Sequence, residues 1–114
     1  MNYRRGYLAE LKAMEALRAE GYVVARTAGS HSPFDIVAVG PQGVRLIQVK
    51  RAKRKALPSL LKAATEELRA VPSAQGVRCE VWFWVDRKGF VVRECVAAKN
   101  AERRKQLSSC HTVK

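Results

Sequence analysis

Two β-branched runs joined by a very short connection fix the middle of this chain. Asp35-Ile36-Val37-Ala38-Val39 and Val44-Arg45-Leu46-Ile47-Gln48-Val49-Lys50 flank Gly40-Pro41-Gln42-Gly43. Runs of this length and composition read as strands, and so short a connection makes them an antiparallel hairpin. A third run, Tyr22-Val23-Val24-Ala25-Arg26, precedes them across the turn signals of Ala28-Gly29-Ser30-His31-Ser32-Pro33. Upstream, from about Tyr3 to Glu20, Leu8, Leu11, Met14 and Leu17 recur among charged residues, which predicts an amphipathic helix ended by Gly21. Downstream, a basic loop leads to a second helix from about Ser59 to Ala70, with Pro58 and Ser59 as its start signal. Val81–Val85 and Phe90–Arg93 around Asp86-Arg87-Lys88-Gly89 predict a second hairpin. The last stretch, from Ala97, is polar and basic, with a fraying tail over about 106–114. The order α-β-β-β-α-β-β describes an α/β domain with a central mixed five-stranded sheet flanked by helices. At 114 residues, 1–114 is read as a single domain.

Charge sets the class of partner. Lys and Arg number 22 against 10 Asp and Glu, a net +12, and a small body pays for that in self-repulsion unless a polyanion balances it. Nucleic acid is the first expectation, and a small-molecule substrate is not expected. No apolar run approaches the roughly 18 residues that span a bilayer, so no membrane partner is expected. Met1-Asn2-Tyr3-Arg4-Arg5-Gly6 is not followed by an apolar h-region, so no secretory signal is expected either. Cys79, Cys95 and Cys110 are odd in number and widely spaced, which points to thiols in a reducing cytosol rather than disulfides. No CxxC spacing and two distant histidines, His31 and His111, argue against zinc. The expected location is cytoplasmic, nucleoid-associated, or the host cytoplasm for a viral chain.

The chemistry gathers on the central hairpin. Asp35 opens one strand, while Gln48 and Lys50 stand two apart near the end of the other and share a face. A carboxylate, an amide oxygen and an ammonium at one end of a hairpin suit phosphodiester hydrolysis. Oxygen ligands hold Mg²⁺, and a lysine orients the nucleophile or offsets transition-state charge.

Pro33-Phe34-Asp35, a gap of about a dozen residues and then Gln48-Val49-Lys50 resemble the PD-(D/E)xK nuclease motif. Tyr3-Arg4-Arg5-Gly6, Ala9-Glu10 and Gly21 through Ser30 further resemble the opening of the archaeal-type Holliday-junction resolvases. The resemblance covers roughly Tyr3 to Lys50; beyond that only the order of elements agrees. It implies a restriction-endonuclease-like core and a homodimer that cuts opposed strands of a four-way DNA junction with Mg²⁺, Mn²⁺ being an alternative. Asp35 would be the principal metal ligand, Glu10 a further carboxylate, Val49 a backbone-carbonyl ligand, Lys50 the catalytic lysine and Ser30 a neighbour of the scissile phosphate. Arg4, Arg5 and Arg26 match backbone-holding positions, and Arg51, Lys53, Arg54 and Lys55 extend the cationic run beside the site.

One position departs from the pattern: Gln48 stands where the family usually has Glu. An amide oxygen still coordinates Mg²⁺ but brings no charge, so metal affinity should fall. Gln48→Glu is therefore expected to retain or raise cleavage. The departure leaves a non-cleaving junction or duplex binder, and a related nuclease with another DNA substrate, as alternatives; a ribosomal-type RNA binder fits the charge but not the ordered motif.

Each residue also has a plainer reading. Asp35 alone reads as a turn residue, Lys50 as one more surface base, Glu10 as an exposed helix charge and His31 as incidental. Of Trp82, Phe83 and Trp84, strand alternation sends Phe83 away from the two tryptophans. One face is then core and the other is read as a dimer surface rather than a base-stacking platform. Lys99, Arg103, Arg104 and Lys105 are either a DNA-gripping tail or solubilising charge.

Overall fold

The computed structural model of the protein describes residues 2–27 and 32–99, and over 2–6 the backbone alone. Ser30, His31, Cys110, His111, the basic tail over about 106–114 and the side chains of Arg4 and Arg5 lie outside the described residues. The elements are helix α1 (Asn2–Ala19), strands β1 (Val23–Arg26), β2 (Ile36–Gly40) and β3 (Gly43–Arg51), helix α2 (Leu57–Arg69), and strands β4 (Val77–Val85) and β5 (Gly89–Val96). A 3₁₀ turn, Arg54–Ala56, leads into α2. The five strands lie in one sheet in chain order. Neighbours pair antiparallel except β3 and β4, which run parallel with α2 as the crossover between them. This is the mixed five-stranded α/β arrangement that the sequence describes.

Both faces of the sheet are cored. Ala9, Ala13, Met14 and Leu17 of α1 pack on Ile36, Ala38, Ile47, Val49 and Trp82. On the opposite face Ala64 and Leu68 of α2 pack with Val81, Phe83 and Val96. The buried stripe of α1 is thus set by the i, i+4 row of Ala9, Ala13 and Leu17, and Leu8 is exposed. A three-residue repeat drifts around a helix with 3.6 residues per turn, so the apolar residues at its start fall off the buried face.

β4 corrects a second expectation. Trp82 and Phe83 point to opposite faces, and both are 0% exposed within the one chain. Neither is a dimer surface, because each face already has its own helix. Trp84 is half-buried, edge-on to Phe90, which also meets Trp82 edge-on. The start of α2 also differs. Its N-cap is Ala56 without a side-chain cap, and Pro58 sits inside the first turn, where its missing N–H costs nothing. The strands β4 and β5 run several residues past the expected bounds, because polar residues such as Arg78, Glu80 and Glu94 are paired across the sheet there.

The β2–β3 turn is pinned from outside. Val44 N–H donates to the Gly76 carbonyl at 2.7 Å, and a Cβ on Gly43, whose φ is +130°, would stand 2.2 Å from that oxygen. Gly43→Ala is therefore expected to destabilise the fold by at least about 1–3 kcal/mol, the scale of one residue forced into a glycine conformation. A urea melt in which the variant matches wild type would show that the turn relaxes freely. No helix among the described residues is long and apolar enough to cross a membrane.

Candidate functional site

Antiparallel pairing of β2 with β3, with Ile36 opposite Ile47, sets the start of β2 against the end of β3. Asp35 therefore stands beside Gln48 and Val49, and Arg26, paired with Ile36 across β1, closes the other side. Because β3 and β4 are parallel, this is also the carboxyl end of the parallel pair, the end where open α/β sheets commonly bind ligands.

The Asp35 carboxylate is fixed by backbone. Val49 N–H donates to its Oδ2 at 2.8 Å, and Asp35 N–H donates to the Ile47 carbonyl at 2.8 Å. The approach to Asp35 is held just as firmly. Thr27 Oγ1 donates to the Phe34 carbonyl at 3.0 Å, Ser32 Oγ to the same oxygen at 2.7 Å, and Thr27 N–H to the Asp35 carbonyl at 2.9 Å. Burial pushes the Asp35 carboxyl above its ordinary range; the Val49 N–H and Lys50 pull it down, whereas Glu10 and Glu67 push it further up. Two acids and one lysine therefore lie within electrostatic reach of this carboxylate.

Gln48 does more than fill the place of a glutamate. It is 4% exposed, and its Nε2 donates to the Pro33 carbonyl at 2.6 Å and to Glu67 Oε1 at 3.0 Å. Both partners are acceptors, so the amide nitrogen must face them and only an amide serves both. Its oxygen, Oε1, is buried with no hydrogen-bond partner among the described residues. A glutamate at 48 would bring a second carboxylate against Glu67 and lose both donors. Gln48→Glu would therefore add a like-charge contact with Glu67, which opposes the gain that an added metal-binding charge would bring.

Of the remaining expected residues, Glu10 reaches the site edge, where Arg26 Nε donates to its Oε1 at 2.8 Å and the same guanidinium stacks over the Tyr7 ring. Arg26, expected on DNA backbone, is thus engaged with Glu10, which raises its pKa further. Arg51 is likewise engaged, through both guanidinium arms, with Asp86. Lys50, Lys53, Arg54 and Lys55 remain exposed around the same end of β3. Glu67 is the site residue that the sequence reading missed. The available signal was weak: a Glu on a helix following Lys50, without a motif spacing to mark it.

Among the described residues no three His, Cys, Asp or Glu side chains converge into a metal-binding group. The oxygen-bearing groups at this end of β3 are of another kind: the Asp35 carboxylate, the buried Gln48 amide oxygen, which has no partner among the described residues, and the adjacent backbone of Val49. Hard divalent cations accept such a mixed oxygen set, so these residues fit Mg²⁺ or Mn²⁺.

No family model matches the chain, and no curated protein matches it. Among solved structures it is similar to the 1.6 Å structure of Hjc from Archaeoglobus fulgidus, a Holliday junction resolvase from an archaeal hyperthermophile. The two are 21% identical with a TM-score of 0.50, over 82% of this chain and 72% of that one. The likeness is one of fold alone.

Proposed function

We propose that the chain is a metal-dependent endodeoxyribonuclease of one domain, 1–114, that resolves four-way DNA junctions as a homodimer. The observation that carries this reading is the Asp35 carboxylate held on the Val49 N–H at the carboxyl end of β3, next in sequence to Gln48, whose buried amide oxygen has no partner among the described residues. The resolvase-like fold and the net charge of +12 support it.

Asp35, the Gln48 amide oxygen and the Val49 carbonyl would hold the cation, with Glu10 as a further carboxylate. When bound, a divalent cation offers Lewis acidity to the scissile phosphate and makes a water nucleophile accessible at neutral pH. The protein's share is positioning. The Val49 N–H holds the Asp35 carboxylate, and the bonds from Asp35 N–H to Ile47 and from Gln48 to Pro33 hold the backbone around it. Lys50, exposed next to it, offsets the charge that develops on the phosphate oxygens. Ser30 is proposed to approach the same phosphate.

Lys53, Arg54 and Lys55, with Arg4 and Arg5, would take the DNA backbone. Phosphate contacts position a protein without reading bases, so recognition rests on junction shape. With about six phosphates neutralised, junction affinity is expected to fall about 10³-fold between 50 and 200 mM salt. A binding series over that range checks this, and a flat response would remove the backbone-charge argument.

The direct test compares Mg²⁺-dependent cleavage of a synthetic four-way junction with that of plain duplex built from the same arms. Preferential cutting of the junction supports a resolvase. Equal cutting points to a nuclease with another DNA substrate. The neutral Gln48 favours one second reading, a junction binder that does not cut; tight junction binding without any cleavage in Mg²⁺ or Mn²⁺ would establish it.

A further inference from the structure

Resting on the nuclease reading, we infer that Glu67 of α2 is a metal-holding carboxylate of this site in addition to Asp35 and Glu10, placed across a hydrogen bond from the neutral amide at position 48. The strand position next to Asp35 carries a neutral side chain, and the acid that touches it comes from the crossover helix. Gln48 Nε2 bonds Glu67 Oε1 at 3.0 Å, so one amide ties the helix to the Asp35 end of the hairpin. The same amide leaves its own oxygen buried and unpartnered among the described residues, in a side chain that is 4% exposed. A buried carbonyl-type oxygen without a donor is costly unless something electron-poor meets it. A hard cation shared by that oxygen, Asp35 and Glu67 would meet the need.

The electrostatics agree with the geometry. Glu67 lies within electrostatic reach of the Asp35 carboxylate, a smaller influence on it than burial or Glu10. Glu67 is itself exposed, so one side of the arrangement is open to an incoming phosphate. A purely structural Glu67 would explain the hydrogen bond; it would not explain why the amide oxygen of Gln48 has no partner among the described residues.

The test is Mn²⁺ binding by the full chain, measured calorimetrically without DNA, with circular dichroism confirming that each variant is folded. Glu67→Gln keeps side-chain size and should weaken Mn²⁺ affinity by about 10–100-fold, the range seen when a supporting group at a metal site is removed. Glu66→Gln, one residue away on the same helix and exposed, controls for loss of one negative charge and should stay within about twofold of wild type. The double variant Gln48→Glu/Glu67→Gln restores one acid and one amide in exchanged places but not the donor to the Pro33 carbonyl, so it should recover part of the affinity that Glu67→Gln loses. If Glu67→Gln matches Glu66→Gln while Asp35→Asn still abolishes binding, the role of Glu67 falls and the nuclease reading stands. If wild type binds Mn²⁺ no better than Asp35→Asn, both fall together.

Discussion

Asp35→Asn is expected to lower cleavage of a four-way junction by at least about 10²–10³-fold, the scale of removing one preorganised electrostatic group, while junction binding persists. The substitution is nearly isosteric. The amide oxygen of the new side chain still accepts the Val49 N–H that now bonds Oδ2 of Asp35 at 2.8 Å, so the hairpin end keeps its shape. What disappears is the charge that would hold a cation. Cleavage and gel-shift assays on the same junction separate the two effects; a variant that cuts at the wild-type rate would remove Asp35 from the chemistry.

The same change has a second, less intuitive consequence. Burial, followed by the fields of Glu10 and Glu67, raises the Asp35 pKa, and the Val49 N–H and Lys50 compensate only in part. The folded chain then holds this proton more tightly than the unfolded chain. Stability is lost as pH rises from the ordinary carboxylate value of about 3.9 through the raised folded value. The amide removes that ionisation, so the variant should melt above wild type at pH 7, with the gap closing as pH falls below about 4. An inactive variant that is also more stable would mark Asp35 as a residue kept for chemistry at the expense of folding.

The sequence made the scaffold legible because its signals were local. The β-branched runs on either side of Gly40-Pro41-Gln42-Gly43 could hardly be anything but a hairpin, and it places Asp35, Gln48 and Lys50 at one end. What stayed hidden depended on contacts between distant segments. Nothing near Glu67 announces that α2 will lay it against Gln48, 19 residues earlier in the chain. Nothing near Arg26 or Arg51 shows that their guanidiniums will pair with Glu10 and Asp86. Trp82 and Phe83 misled for a related reason. Alternation correctly put them on opposite faces, but only the tertiary structure shows a helix covering each.

The interaction that sequence reasoning overlooked most completely is also the one whose loss should cost most stability. Glu80→Ala is expected to destabilise the fold by about 3–5 kcal/mol, the range for breaking a buried ion pair from one side. Glu80 is buried on the α1 face, where Arg45 grips it with Nε to Oε2 at 2.7 Å and Nη2 to Oε1 at 2.8 Å. Arg78 Nε adds a bond at 3.0 Å and Trp82 Nε1 another at 2.9 Å. Removing the acid leaves the Arg45 guanidinium buried, with the half-exposed Glu20 carboxylate at 3.3 Å and the Tyr22 and Trp82 rings to answer it among the described residues. Burial alone would raise the Glu80 pKa, but the bonds from Arg45, Trp82 and Arg78 overcome it and hold the carboxyl below its ordinary range. A lowered folded pKa contributes stability above the unfolded value of about 4.3, and that stability is lost as pH falls through the folded value. The deficit of Glu80→Ala in urea melts should therefore be full at pH 7 and shrink in acid, the direction in which the Asp35→Asn advantage also fades. A deficit below about 1 kcal/mol at pH 7 would mean that Arg45 finds water or Glu20 at little cost, and that the buried pair does not hold β3 to β4.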